Sequence, residues 1–377
     1  MQRPDLPIKR RDWLANGSSA ALAAAFPASL SALLTGCGSS GSPGPALRSW
    51  RMGFSGLPPR LTVQDVLRTV DTWSTRGEIA AIHEELPWSD LLAGMTPQAI
   101  LQRDKVGLVD YYRGKGHQLM FMADLTDGLS RTDEAPQLRA LNRSLSEPAV
   151  QLAARNYIVA VAQMLKPEVL GLATETNLIR AAAPPTLYNA LKQTANAASA
   201  DLSAAGYTGT RFISVQVETA WGVLGGSGPF VGIAQDRADF PFSEWLGLSS
   251  YPYFSWPTPE DIPADYYSRL QQGNTNPLPV MVVEGGWPSQ GASANGVTVS
   301  SNPALQARYI ARHPALLDSV AARGWIQLVF ADLDLASLPP PLPANLPLFT
   351  TLGLVDAQYN AKPALAHWDA AFARPMA

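Results

Sequence analysis

Eight short apolar runs, each followed by a helix-like stretch, set what this chain can fold into. The runs fall at residues 50–56, 79–83, 118–123, 169–173, 212–217, 245–249, 280–283 and 325–330. Amphipathic segments lie between them at 62–76, 97–115, 146–165, 185–205, 263–272 and 303–322. Strands this continuously apolar are buried on both faces, which is the habit of a parallel sheet covered by helices. Eight such units predict an α/β fold, a (β/α)8 TIM barrel in a single domain; a doubly wound open sheet is the alternative.

A barrel places its chemistry at the C-terminal ends of its strands. Those ends carry His83-Glu84-Glu85, Asp124 and Asp127, Glu175 and Asn177, Gln216 and Glu218, Tyr251 and Tyr253, Glu284 and Trp287, and Asp332. Lysine and arginine are almost absent there, unlike in an ordinary set of solvated loops. Glu284 ends an apolar run and is followed at once by Gly285-Gly286-Trp287-Pro288, a strand tip broken just past its acid. Alone, Glu284 also reads as a structural carboxylate holding the loop amides of Gly285 and Gly286. Glu175 alone also reads as a helix-capping residue. For Glu218, a substrate contact and a solvated loop position are equal readings; Trp221 and Trp287 divide between sugar platform and loop core.

Residues 282–289, VVEGGWPS, together with 247–254, GLSSYPYF, resemble the retaining glycoside hydrolases of clan A, most closely families 17 and 53. The match in strand order spans the chain beyond its first fifty residues; the sharp motifs are short. The resemblance implies that Glu175, after the fourth strand, is the general acid/base and Glu284, on the seventh, the nucleophile. It also implies that Tyr251 or Tyr253 donates a hydrogen bond to Glu284. Substrate contacts are expected from His83, Glu84, Asp124, Asn177, Glu218, Trp221, Tyr251, Tyr253 and Trp287. Thr174 stands where these enzymes usually carry asparagine, and no arginine follows the second strand, where "IHEELPW" is found. No single family fits, and mannanase-like members such as family 113 share the Thr-Glu pattern. The expected substrate is a β-linked glycan, with no cofactor and no metal.

The front of the chain addresses location. Arg10-Arg11-Asp12-Trp13-Leu14 resembles a twin-arginine export signal, and the small-residue and leucine segment after it has the length of a signal-peptide core. Leu34-Thr35-Gly36-Cys37 resembles a lipobox, which makes Cys37 the lipidated N-terminus of the mature protein. The expected organisation is a signal peptide at 1–36, a lipidated Cys37 and Gly/Ser/Pro tether at 37–48, and the barrel at 49–377. The protein is then exported, periplasmic or at the cell surface, held to the membrane by that lipid alone, and acts as a monomer. Cys37 is the only cysteine among 377 residues, which excludes a disulfide framework and Cys-based metal sites. With 4 His, of which His83 alone is well placed, a metal hydrolase lacks ligands. His83-Glu84 does not continue into HExxH, because Pro87 fills the second histidine's place. A net charge of −3 gives no field to gather nucleic acid. Two other functions remain open: a barrel that binds a glycan or envelope partner without cutting it, and a solute-binding protein, which would need two lobes and a hinge.

Overall fold

The computed structural model describes residues 46–377. The export signal, Cys37 and most of the tether lie outside the described residues. Eight parallel strands close into a barrel: β1 (Arg51–Ser55), β2 (Ile79–Glu85), β3 (Gln118–Asp124), β4 (Val169–Ala173), β5 (Thr210–Gln216), β6 (Trp245–Ser250), β7 (Val280–Gly285) and, after a two-stranded hairpin of β8 (Ala292–Ala294) and β9 (Val297–Val299), β10 (Gly324–Gln327). β10 pairs with both β1 and β7, so there is no open edge and the doubly wound alternative is excluded.

Two apolar layers account for the closure. Inside the barrel, Ile79, Ala81, Met120, Met122, Val169, Phe212, Met281, Val283 and Ile326 fill the lumen. Outside, the other face of each strand packs under the helices Val63–Trp73, Pro148–Met164, Pro185–Ala204 and Pro303–Asp318. Alternation along β2 shows the rule: Ile79 and Ala81 point inward while Ala80 and Ile82 join the outer layer. The lumen is tight. A Cβ on Gly171 of β4 would sit 2.7 Å from the Phe212 ring. In the outer layer, Trp325 and Phe54 pack against Trp368 of the helix Pro363–Phe372. Trp368 is fully buried and its indole N–H donates to the Arg76 carbonyl at 2.9 Å. Replacing such a side chain by alanine costs about 3–5 kcal/mol.

The expected helix over 263–272 is absent. Pro263 and a run of tyrosines give turns and one 3-10 segment, Ser268–Gln271, because Tyr266 and Tyr267 are drawn into the layer outside the barrel, to Glu218 and Ser250. The segment 97–115 is two helices, Pro97–Asp104 and Val106–Gly114. The hairpin β8–β9 was not legible in advance, its strands being three residues each.

Two register shifts aim the site. β4 slips against β5 between Gly171 and Ala173, and β6 slips against β7 between Leu248 and Ser249, so that Ser249 faces Glu284. An extra residue in a ladder turns the following side chain. Both candidate carboxylates therefore come directly after an irregularity in the sheet, at the mouth of the lumen.

Candidate active site

A cleft of about 600 Å³ opens over the C-terminal ends of the strands, and both Glu175 and Glu284 line it. Glu175 follows β4 in a left-handed backbone conformation, φ 46°. A non-glycine residue held there stores strain of about 1–3 kcal/mol, which the surroundings must fix. Its amide donates to the Ser214 hydroxyl at 2.9 Å. Its carboxylate does not cap the helix Thr176–Ala182, so the capping alternative fails. It reaches into the cleft instead. Oε2 accepts from Arg131 Nε at 2.7 Å, and Oε1 accepts from the Ser249 hydroxyl at 2.5 Å.

Glu284 sits inside β7, nearly buried. It does not hold the Gly286 amide, which donates to the Ser250 carbonyl at 3.3 Å. Burial pushes its carboxyl up to about 8, the charge of Glu175 adds to the rise, and Arg131 and the Ser249 hydroxyl oppose it. Ser249 donates to Glu175 and stands opposite Glu284 in the register of β6 against β7, so it lies between the two acids.

Arg131 is the residue the sequence reading missed. It comes from the loop after β3, adopts φ 59°, and is almost wholly buried. Burial disfavours its charge, but the carboxylates of Asp124, Glu175 and Glu284 outweigh that and raise its pKa. Besides Glu175 it bonds Asp124 Oδ2 at 2.5 Å. Asp124 is thus brought to the cleft, with its other oxygen accepting from the Thr126 amide at 3.2 Å. Ser249 was missed too, since a serine inside an apolar strand gives no signal of its own.

His83 lines the cleft and reaches across the lumen, its Nε2 3.0 Å from the Val283 carbonyl. Burial lowers its pKa to about 4, so the ring is neutral near pH 7, and the carbonyl contact assigns the proton to Nε2. Its 3.9 Å approach to Glu284 is accordingly no ion pair. Glu84 touches the cleft, but its carboxylate is turned to Lys105 at 2.7 Å and the Tyr157 hydroxyl at 2.9 Å. Glu85, also in the cleft, is pushed to about 7 by burial and by the charges of Asp124 and Asp127. Tyr251 stands beside the pair, and burial with the charges of Glu284 and Glu175 raises its phenol; among the described residues its hydroxyl donates to neither carboxylate.

Five expected substrate contacts lie away from the cleft wall. Asn177 is consumed by backbone: its amide donates to the Gln216 carbonyl at 2.8 Å, and its oxygen accepts the Gln216 and Leu178 amides. Glu218 is fully buried behind the wall, bonded to the Tyr266 hydroxyl and to Gln216, with burial raising it to about 7. Tyr253 donates to the Leu348 carbonyl at 3.1 Å. Trp221 donates to the Tyr266 carbonyl at 2.9 Å and carries Arg269 on its face. Trp287 is fully buried against Tyr309 and Tyr253 and donates to the Ser301 hydroxyl at 3.0 Å. Neither tryptophan is a sugar platform; each indole N–H needed a buried acceptor and found it in the loop core. Asp332 is likewise diverted, into an ion pair with Lys362 at 2.5 Å. Among the described residues no group of His, Cys, Asp and Glu is placed to hold a metal ion.

No protein-family model matches the chain, and no curated protein matches it. Solved structures do. The exo-β-1,4-mannosidase Op5Man5 from Opitutaceae bacterium strain TAV5 superimposes with a TM-score of 0.60 at 16% identity, covering 88% of this chain and 61% of its own. The GH5_18 protein of Streptomyces cattleya, in complex with GlcNAc, matches with a TM-score of 0.56 at 17% identity, over 86% of this chain and 80% of its own. The β-glucuronidase 2 of Bacteroides uniformis gives 0.55 at 12%, over 88% of this chain and 35% of its own. This chain thus spans less than two thirds of the mannosidase and about a third of the glucuronidase. What these likenesses share with this chain is the (β/α)8 barrel.

Proposed function

We propose that the protein is a retaining glycoside hydrolase acting on a β-linked glycoside by double displacement. The observation that carries this reading is the pair of buried carboxylates at the ends of β4 and β7, which line one cleft with Ser249 between them. Glu175 protonates the glycosidic oxygen while Glu284 attacks the anomeric carbon. Glu175 then takes a proton from the water that releases the sugar. In the resting site burial keeps a proton on Glu284 near neutral pH. Ser249 supplies its route: the hydroxyl gives its hydrogen to Glu175 as it receives that of Glu284, leaving an acid and a nucleophile in their working forms. Arg131 and Asp124 fix the Glu175 carboxylate in place, and His83 and Tyr251 flank the sugar.

The front of the chain adds that the enzyme is exported and anchored by lipid at Cys37; labelling with a radioactive fatty acid, lost in Cys37→Ser, tests that part. The function is tested by sugar release from β-glucans, galactans, mannans and the corresponding aryl β-glycosides, with Glu175→Ala and Glu284→Ala alongside. Release that both substitutions abolish on natural linkages supports the reading. One feature favours a barrel that binds without cutting: a fixed cation stands on the proposed acid/base. Binding that survives both substitutions, with no release from any substrate, would establish that reading instead.

A further inference from the structure

The walls of the cleft do not suit a polysaccharide. Sugar chains are gripped by aromatic faces and by hydrogen bonds to hydroxyls; among the described residues this cleft is lined by three aromatic rings, Tyr251, Phe254 and Phe349, and by no tryptophan. Its outer wall is mostly aliphatic, built by loops from all round the mouth: Leu57 after β1, Leu129 after β3, Leu224 after β5, Val297 on the hairpin, and Leu346 after β10, with Phe349 beside it. Leu57, Leu224 and Val297 are 43%, 37% and 41% exposed. Single exposed aliphatics are ordinary, but several facing one concavity are not. The polar groups of that wall are spoken for: the Asn345 amide donates to the Leu129 carbonyl at 2.9 Å, and the Ser130 hydroxyl bonds Thr132 at 3.1 Å. Polar and charged groups concentrate at the axis, where one sugar ring would sit.

We propose that the cleft takes a β-glycoside whose aglycone is an aliphatic chain, a glycolipid-like substrate with the sugar at the carboxylates and the chain along the leucine wall. This rests on the hydrolase reading and names its substrate class. Cleavage breaks the bond between the anomeric carbon and the aglycone oxygen. That oxygen takes its proton from Glu175 and leaves as a fatty alcohol, and water supplies the sugar's new hydroxyl.

The test uses full-length Cys37→Ser protein, which carries no lipid, with methyl, hexyl and octyl β-D-glucosides and β-D-mannosides below micelle-forming concentrations. Each methylene that enters the wall raises kcat/KM by up to about fourfold, so octyl should exceed hexyl by roughly tenfold. Leu57→Asp with Leu224→Asp, both at exposed positions, should flatten that ratio. Hydrolysis with no dependence on chain length overturns the proposal and leaves the hydrolase standing. Binding of the same ligands to Glu284→Gln is read by calorimetry in parallel. If no glycoside is cut, the hydrolase reading falls, and octyl binding no tighter than methyl overturns this proposal as well; tighter octyl binding upholds the aliphatic site.

Discussion

Arg131→Met removes the cation packed against Asp124 at 2.5 Å and Glu175 at 2.7 Å, with the guanidinium side chain only 6% exposed. Taking one partner out of a buried ion pair costs about 3–5 kcal/mol, since the carboxylates left behind keep their desolvation cost without the attraction. The penalty should depend only slightly on pH. Glu284 is already raised to about 8 in the folded protein, against about 4.3 in an unfolded chain. Between those values the folded state holds a proton that the unfolded state has released, so this group's contribution to stability is whole below about pH 4 and falls as pH rises towards 8. Arg131 opposes that rise. Without it, Glu284 climbs further and the fall extends to higher pH, at about 1.4 kcal/mol for each added pKa unit. Glu284 keeps its proton at pH 5 with or without Arg131, and at pH 8 this group changes the penalty by no more than about 0.4 kcal/mol. Urea unfolding followed by tryptophan fluorescence at pH 5 and pH 8 should therefore give a loss of about 3–5 kcal/mol at both, slightly larger at pH 8. A loss below about 1 kcal/mol at both values, or a loss at pH 8 less than half of that at pH 5, would refute the reasoning.

The Glu284 proton, which the relay hands to Glu175, should give a kcat/KM profile whose basic limb falls near pH 8, where that proton leaves; rates measured from pH 4 to 10 check it. Ser249→Ala should lower kcat by about 10²-fold or more and move the basic limb upward, because the hydroxyl both lowers Glu284 and stands between the two acids. Gly285→Ala should destabilise the protein by about 1–3 kcal/mol and depress activity: φ is 154° there, and a Cβ would lie 2.3 Å from the Ser250 carbonyl oxygen. Trp221→Phe and Trp287→Phe should lower thermal stability while leaving KM unchanged, since neither ring lines the cleft; a raised KM would return them to the substrate.

The barrel was legible because burial on both faces leaves strands almost no polar residue, a signal that survives without knowing the partners. The two carboxylates were legible because each ends such a run. What surrounds them was not. Arg131 lies in a loop rich in Asp, Gly, Ser and Thr, where an arginine ordinarily meets water; a left-handed backbone turn buries it. Local sequence cannot tell whether a side chain after a strand faces the cleft or the layer behind it. The sequence leaves Glu218, Trp221 and Trp287 evenly divided between the site and the loop and expects Asn177 in the site, and all four find partners behind the wall. The sheet irregularities that turn Glu175 and Glu284 into the mouth leave no mark in composition, because their extra residues are as apolar as their neighbours.

The proposed double displacement predicts a covalent bond between substrate and protein, and that bond is the most direct test. The full-length protein is incubated with 2-deoxy-2-fluoro-β-glycosides bearing dinitrophenyl leaving groups, in gluco, manno and galacto form, then digested and sequenced by mass spectrometry. The account predicts inactivation with one fluoroglycosyl unit on Glu284. A label on Glu175, or hydrolysis of the parent glycosides with inverted anomeric configuration and no label, would contradict it.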